Sequence, residues 1–278
     1  MGACAGKPAA PAAKVESPVA PAPAAAPAAE TKEAPAAPAA PAEPSTFYIV
    51  DHTFKEDAKP EEWWANIQGM MAEPEKMKAF FKGNSDKGFY NHAFFPLSQT
   101  HMICIWEMKP GCKLEDLQAC LDEVVGQNML VNKTMQISPE LCGNQMPFAS
   151  AYAKDSTLAM DASAAFPTKS SWFIVQHDMT EGKADEWWAD TQKMMTTPGE
   201  MEKFSADNTE KGYANHTFMP ASKDLAYCIW EVKADGPSSD DFQAHLDAAV
   251  GRGCFVNTLL PVPAEMTGGN CVLKPKFD

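Results

Sequence analysis

Four histidines occupy corresponding places in two similar segments of this 278-residue chain, and imidazole is the side chain best suited to move a proton near neutral pH. His92 lies in the stretch FYNHAFF and His216 in the stretch YANHTF. His52 and His177 each lie at the end of a short apolar run. We predict that His92 and His216 act as acid/base groups in a cavity and that His52 and His177 assist them. The alternative for each is a hydrogen-bonded residue of the core.

Tryptophans in equivalent positions predict an aromatic wall for a flat ligand. Methionine pairs continue the same helical face, and methionine adapts to irregular ligand shapes. A lining of this kind favours an apolar or aromatic small molecule over a sugar or a nucleotide. For at least one tryptophan of each adjacent pair, Trp63–Trp64 and Trp187–Trp188, the alternative role is packing of the helix on the sheet. For Asn132 and Asn257 the alternative role is hydrogen bonding to the backbone. The predicted ligand-binding residues are Trp63, Trp64, Trp106, Trp187, Trp188, Trp230, Asn132 and Asn257.

The spacing of possible metal ligands gives little support to a metal site. His, Cys and Glu are suitable ligands for zinc, nickel or copper, and Glu107 near His52 and His92 would complete such a set. However, the chain contains no HxxxH or CxxC spacing. Cys104 and Cys228 lie in apolar strands without an evident Lys or Arg neighbour, which favours buried thiols over nucleophiles. We therefore predict no metal ligands and no cofactor.

The composition excludes several classes of function. A net charge of −14 without a basic stripe argues against a nucleic-acid partner. Arg252 is the single arginine, so recognition of phosphates by guanidinium groups is scarce. No P-loop, dinucleotide fingerprint, hydrolase nucleophile elbow or CxxCH motif occurs. No apolar run reaches the roughly 18–20 residues of a membrane helix.

The cysteines and the N-terminal residues bear on localisation. Eight cysteines without a disulfide-framework spacing, and no hydrophobic signal-peptide region, predict a cytoplasmic protein with mostly buried thiols. The chain begins Met-Gly-Ala-Cys, so myristoylation of Gly2 and palmitoylation of Cys4 would anchor it at a membrane surface. Gly6 in place of Ser or Thr, and the lack of a polybasic cluster, argue against this. The alternative is a Met-Gly start by chance.

Two copies of one unit follow an Ala- and Pro-rich region. Residues 1–44 are predicted to be a disordered spacer, because such a composition cannot bury a core. The copies span 45–146 and 171–278, joined by an Ala-, Ser- and Thr-rich linker over 147–170. The run EEWWANIQGMMAEPEKMKAFF in the first copy matches DEWWADTQKMMTTPGEMEKFS in the second, and CIWE occurs in both. This duplication predicts two domains packed on each other, so that a monomer forms a pseudo-dimer within one chain.

Each copy reads as β-α-β-β-α-β. In the first copy FYIV is a strand, and the apolar positions from Trp63 follow helical spacing until Pro74 interrupts the helix; Pro198 does the same in the second. A hairpin, a second helix ending near Gly126 and a last strand follow. The order predicts an α+β fold with four antiparallel strands and both helices on one face of the sheet.

His92 and His216 each lie in the central hairpin of their copy, directly after an asparagine. Alternation along a strand predicts that His92 shares a sheet face with Tyr90 and Phe94, and the same applies to His216. The copies differ within this hairpin, since Tyr90 corresponds to Ala214. Such differences allow one half to be purely structural.

The element order, the duplication and the strands NHxFxP and CIWE resemble the dimeric α+β-barrel (ferredoxin-like) superfamily, which includes antibiotic-biosynthesis-type monooxygenases and stress-responsive A/B barrel proteins. The resemblance covers both copies but not the Ala/Pro region, and no catalytic signature of one branch is present. It implies two βαββαβ repeats packed sheet-to-sheet as an intramolecular α+β barrel. It also implies a small-molecule cavity between sheet and helices, lined by a histidine from a strand. Some members of the superfamily hold haem without a covalent motif.

Three functions remain open on these observations. The first is a barrel that binds an apolar or aromatic small molecule and carries out cofactor-independent oxygenation, isomerisation or cyclisation. The second is a non-catalytic binding or scaffold module tethered to a membrane, which the N-terminus and the spacer favour. The third and weakest is a metal-binding barrel.

Overall fold

The structure is a computed structural model and describes residues 44–142, 146, 148–158, 169–263, 270, 271 and 273–277. Gly2 and Cys4, the predicted sites of acylation, lie outside these residues. No helix in the described part of the chain is long and apolar enough to cross a membrane.

The first repeat confirms the predicted break at Pro74 and the predicted helix end near Gly126, while its first helix begins at Pro60, before Trp63. Pro74 starts a new helix because proline fits the first turn, where its missing N–H is not needed. The last helix ends in a π-helical turn in which the Gly126 N–H donates to the Leu121 carbonyl at 2.7 Å. A Cβ at Gly126 would lie 2.8 Å from that oxygen, so only glycine fits. The elements are β1 Thr46–Phe54, α1 Pro60–Met71, α2 Pro74–Asp86, β2 Phe89–Pro96, β3 His101–Met108, α3 Leu114–Ala119 with its π-helical extension Cys120–Val125, and β4 Leu130–Gln136.

The second repeat follows the same order. Pro198 lies between its first two helices, and Gly199, with φ of 83°, caps the second of them. A short additional strand follows after the repeat. The elements are β5 Ser171–Met179, α4 Ala184–Thr196, α5 Glu200–Glu210, β6 Tyr213–Pro220, β7 Leu225–Val232, α6 Ser239–His245 with its π-helical extension Leu246–Val250, β8 Phe255–Val262 and β9 Asn270–Cys271.

Both repeats form antiparallel sheets with the ferredoxin-like strand order. The first sheet runs β4-β1-β3-β2-β9 and the second runs β6-β7-β5-β8. In the first repeat Val50 and Cys104 pack against Leu117 of α3, and Met102 packs against Trp63 of α1. The helices therefore cover one face of the sheet, and the predicted α+β fold is confirmed.

The other faces of the two sheets pack against each other. Phe47 and Ile105 of the first sheet share one buried cluster with Trp172 and Ile229 of the second. The predicted sheet-to-sheet packing of the repeats is thus confirmed. In the described residues the strands form two separate sheets and not one continuously hydrogen-bonded barrel.

The segment after each repeat crosses to the other sheet. After β4, the Ser138 N–H donates to the Pro220 carbonyl of β6 at 2.8 Å. After β8, strand β9 pairs with β2, placing Cys271 opposite Ala93. Further along, Ala151 contacts the first repeat again, so residues predicted as a linker pack on the fold.

Candidate functional site

Each repeat has a cavity between its sheet and its helices. The first cavity has a volume of about 60 Å³ and the second of about 420 Å³. Ligand pockets usually measure about 300–1,000 Å³, so the second cavity alone lies in the range for a small molecule. The floor of both is formed by equivalent residues of the sheet. In the first these are His52, Asn91, Cys104 and Trp106; in the second they are His177, Asn215, Cys228 and Trp230.

Three replacements reduce the side-chain volume around the second cavity. Ile67, Phe81 and Met102 line the first cavity. The aligned residues of the second repeat are smaller: Thr191, Ser205 and Ala226. Less side-chain volume between the same backbone elements leaves a larger cavity.

The histidines of the first strands line the cavities and are held from behind. His52 Nδ1 lies 2.5 Å from Asn132 Oδ1, and the Asn132 amide donates to Asp122 at 2.6 Å. Burial lowers the pKa of His52 to about 4, although the Asn132 hydrogen bond opposes the shift. His52 Nε2 is buried and has no hydrogen-bond partner among the described residues.

The second repeat reproduces this arrangement. His177 Nδ1 lies 2.6 Å from Asn257 Oδ1, and the Asn257 amide donates to Asp247 at 2.7 Å. Burial again lowers the pKa of the histidine to about 4. Asn132 and Asn257, predicted as ligand contacts, are not part of either cavity lining and instead orient the histidines.

His92 and His216 lie on the opposite face of their sheets, because a β-bulge adds one residue to β2 and to β6. The register shifts between Asn91 and Ala93, so that His92 points towards the other sheet while Phe94 remains on the helix face. The prediction that His92 and Phe94 share a face is therefore wrong, whereas Tyr90 does contact His92, at 4.7 Å between ring centroids.

Each of these two histidines pairs with a buried glutamate. His92 Nε2 lies 2.9 Å from Glu107, and His216 Nε2 lies 2.8 Å from Glu231. Glu107 also accepts the Ala151 N–H and the Ser150 hydroxyl.

Hydrogen bonds keep the two glutamates ionised, whereas burial favours the neutral form of the two histidines against the opposing effect of the carboxylates. Burial acts to raise the pKa of Glu107, but the hydrogen bonds from His92, Ser150 and Ala151 lower it by more. The pKa of Glu231 is lowered in the same way, with the Lys276 N–H as the main donor at 2.6 Å. Burial lowers the pKa of both histidines.

The two histidine–glutamate pairs differ in access. His92 is fully buried, and the rings of Phe47, Tyr90 and Phe148 lie against it. In the second repeat, smaller residues align with Tyr90 and Phe148, namely Ala214 and Leu273.

His216 stacks on Trp172, with 4.7 Å between ring centroids, yet its side chain is 11% exposed. It lines the second cavity because that cavity extends past the edge strand β6 to Cys142 and Met146 of the cluster between the sheets. Only Nε2 of His216 bonds to Glu231. Nδ1 is therefore the nitrogen that remains for a ligand.

The predicted tryptophans have two different positions. Trp63 and Trp187 line the cavities, and their N–H groups donate to Val125 and Val250. Trp64 and Trp188 are buried beside them, outside the cavity linings, and donate to the carbonyls of Gln99 and Lys223.

Trp106 and Trp230 contribute to the cavity floors beside buried thiols. Their N–H groups have no oxygen or nitrogen partner in the described part of the chain. Burial raises the pKa of Cys104 and of Cys228 to about 12, and the neighbouring indole offsets part of this effect. Thiols of this pKa remain protonated at neutral pH, which disfavours them as nucleophiles.

The described residues contain no group of three His, Cys, Asp or Glu side chains that could hold a metal ion. Nε2 of His177 is a nitrogen of the type that binds haem iron. However, Arg252 is the one Lys or Arg in the described lining of the second cavity, and it pairs with Asp190 at 3.2 Å. Little positive charge is then left for the haem carboxylates, so these residues do not fit haem.

Comparison with known proteins identifies both repeats. A model of the family described as "Domain of unknown function (DUF8652)" matches residues 47–145 and again residues 172–270. No curated protein matches the chain.

Solved structures with a similar fold include a proposed monooxygenase from Lactobacillus acidophilus NCFM, at 12% identity and a TM-score of 0.40, covering 80% of this chain and 94% of that one. Another is a proposed monooxygenase from Fusobacterium nucleatum subsp. nucleatum ATCC 25586, with 8% identity and a TM-score of 0.39, covering 82% of this chain and 94% of that one. A third is chlorite dismutase from Candidatus Nitrospira defluvii in complex with imidazole, with 13% identity and a TM-score of 0.41, covering 79% of this chain and 92% of that one. These similarities carry no argument about activity.

Proposed function

We propose that this chain, which belongs to the family described as "Domain of unknown function (DUF8652)", binds an apolar, aromatic small molecule in its second repeat and exchanges a proton with it through His216. The observation that carries the proposal is the access of His216 to a cavity of about 420 Å³, while the equivalent His92 is fully covered. Trp187, Phe218 and Met195 make the wall of this cavity apolar, which suits a ligand with little polarity.

The geometry of the His216–Glu231 pair suits a general base. The ionised Glu231 accepts the Nε2–H of His216, which leaves the Nδ1 lone pair to take a proton from the ligand. Glu231 then stabilises the imidazolium that forms, as a carboxylate does in other histidine–carboxylate pairs. Return of the proton to another atom of the ligand completes an isomerisation or a cyclisation; oxygenation of the same anion would also consume dioxygen.

Access to His216 can be tested by chemical modification. We expect diethyl pyrocarbonate to modify His216 in the full chain and to spare His92, because acylation needs an accessible nitrogen. The modified peptides are identified by mass spectrometry. Equal protection of both histidines would show that the second cavity does not reach His216 and would contradict the proposal.

The bound molecule can be identified by native mass spectrometry of protein purified from its own source. With that ligand, His216→Gln is expected to lower turnover about 100- to 10,000-fold, the usual contribution of a general base. His92→Gln is the matched control and should leave turnover unchanged, since His92 has no access to the cavity.

The alternative is a binding module without catalysis. It is favoured by the first repeat, where an equivalent pair, His92–Glu107, is kept although no ligand can reach it. Binding without any turnover, equally in wild type and His216→Gln, would support this alternative. Acylation of Gly2 and Cys4 would add a membrane tether, and the mass of the N-terminal peptide tests it.

A further inference from the structure

The second cavity contains a buried nitrogen that lacks a partner. His177 lines the cavity and is 1% exposed, and its Nε2 makes no hydrogen bond to any described residue. Buried polar atoms nearly always have a partner, and leaving one without costs about 1–3 kcal/mol. A bound molecule could supply the missing hydrogen bond.

The protonation of this nitrogen follows from the residues behind it. The Asp247 carboxylate, when ionised, only accepts hydrogen bonds, so the Asn257 group facing it at 2.7 Å must be the amide NH₂. The Asn257 oxygen therefore faces His177, at 2.6 Å, and Nδ1 of the imidazole must carry the hydrogen. Gln243 donates to the same Asp247 oxygen at 3.0 Å, which further fixes this orientation.

The imidazole of His177 is neutral near pH 7, because burial lowers its pKa to about 4. A neutral imidazole that carries its hydrogen on Nδ1 has only a lone pair on Nε2. His177 Nε2 is thus an acceptor and never a donor at this pH. Asp178 and Asn257 act to raise the pKa, but neither overcomes the effect of burial.

We infer that the molecule bound in the second cavity carries an O–H or N–H group that donates a hydrogen bond to His177 Nε2, as phenols, enols and N–H heterocycles do. This inference rests on the proposed function and narrows its ligand class. It excludes pure hydrocarbons and molecules that carry only carbonyl or ether oxygens. His177 recognises the ligand, whereas His216 exchanges the proton.

The first repeat supplies an internal control. His52 is held by Asn132 and Asp122 in the same way, and its Nε2 also lacks a partner. The first cavity, however, has room for little more than water, at about 60 Å³. A variant at His52 therefore changes the same network without changing ligand recognition.

The test compares matched pairs of probes that differ by one methyl group: 1-naphthol and 1-methoxynaphthalene, 4-phenylphenol and 4-methoxybiphenyl, and indole and 1-methylindole. Binding to the full chain is measured by calorimetry. We expect the protic member to bind about 5- to 100-fold more tightly, as a hydrogen bond to a buried acceptor predicts. We expect the preference to disappear in His177→Phe and to persist in His52→Phe.

A spectroscopic measurement covers the case in which His177→Phe does not fold. In the wild-type chain with ¹⁵N-labelled histidine, the Nε2 resonance of His177 is expected to have the shift of an unprotonated nitrogen. It should move when the protic probe binds and remain in place with its methylated partner.

The outcomes separate the inference from the proposed function. Equal affinity for both members of every pair, or a preference that survives in His177→Phe, overturns the inference and leaves ligand binding standing. Failure of all six probes to bind overturns both.

Discussion

The two repeats keep the same framework and differ at the cavity. The hydrogen bonds from histidine to asparagine measure 2.5 Å in the first repeat and 2.6 Å in the second, and those from asparagine to aspartate measure 2.6 Å and 2.7 Å. The cavities differ about sevenfold in volume, from about 60 to about 420 Å³. These histidine–asparagine–aspartate hydrogen bonds are common to both halves. The side chains that fill the cavity determine which half can bind a ligand.

Acidification should give the largest effect and should affect both halves equally. His52 and His177 have a pKa of about 4 when folded, against 6.5 when unfolded. Above pH 6.5 neither state is charged. As the pH falls from 6.5 towards 4, the unfolded chain binds protons that the folded chain does not, so stability falls by about 1.4 kcal/mol per pH unit for each histidine.

Urea unfolding at pH 7, 6 and 5 measures this slope. His52→Gln and His177→Gln should each reduce this slope by about 1.4 kcal/mol per pH unit, which is the contribution of one proton. A reduction in only one of the two variants would show that the two networks are not equivalent.

Removal of the buried carboxylates should distinguish the halves. Glu107→Ala is expected to cost about 3–5 kcal/mol, because it leaves His92 and the Ala151 N–H buried without their partner. Glu231→Ala should cost about 1–2 kcal/mol less, since water in the second cavity can reach His216. Denaturant unfolding compares the two, and equal costs would indicate that the second pair is as dry as the first.

Exchanging one lining residue between the two cavities should partly reverse the difference in their volumes. Thr191 is buried with its hydroxyl unpartnered, so Thr191→Ile should fill the second cavity and stabilise the fold by about 1 kcal/mol. Ile67→Thr should destabilise by about 2 kcal/mol, through lost packing and a buried hydroxyl.

Thr191→Ile should also weaken ligand binding, whereas Ile67→Thr should not change it. Thermal unfolding and calorimetry give both quantities. Unchanged binding in Thr191→Ile would place the ligand elsewhere.

The smallest expected difference lies at the start of the last helix. Ser238 and Asp241 form a capping box at α6, while Lys113 precedes α3 without a side-chain cap. Ser238→Ala should cost about 1 kcal/mol, and Lys113→Ser should gain about 0.5–1 kcal/mol, since Asp116 is already in place to complete the box. If Lys113→Ser does not stabilise the chain, the first repeat does not need a cap at this helix.

The resemblance between the copies predicted much of the fold. The matching stretches established the duplication, and hydrophobic spacing with Pro74 and Pro198 located the helices. Helical and strand periodicity depend on near neighbours, so a single sequence is sufficient to reveal them.

The candidate site was predicted only in part. His52 and His177 do line cavities, and so do Trp63 and Trp187. Glu231 was not singled out, although its place in the second CIWE run, equivalent to Glu107, is the signal that could have identified it.

By itself the sequence determined that this chain is a duplicated α+β unit with histidines and tryptophans at matched positions. The tertiary structure decided that a bulge turns His92 towards the other sheet. It also decided that Asn257 holds His177. Each of these depends on strand register or on contacts between residues far apart in the chain, and local residue patterns carry no information on either.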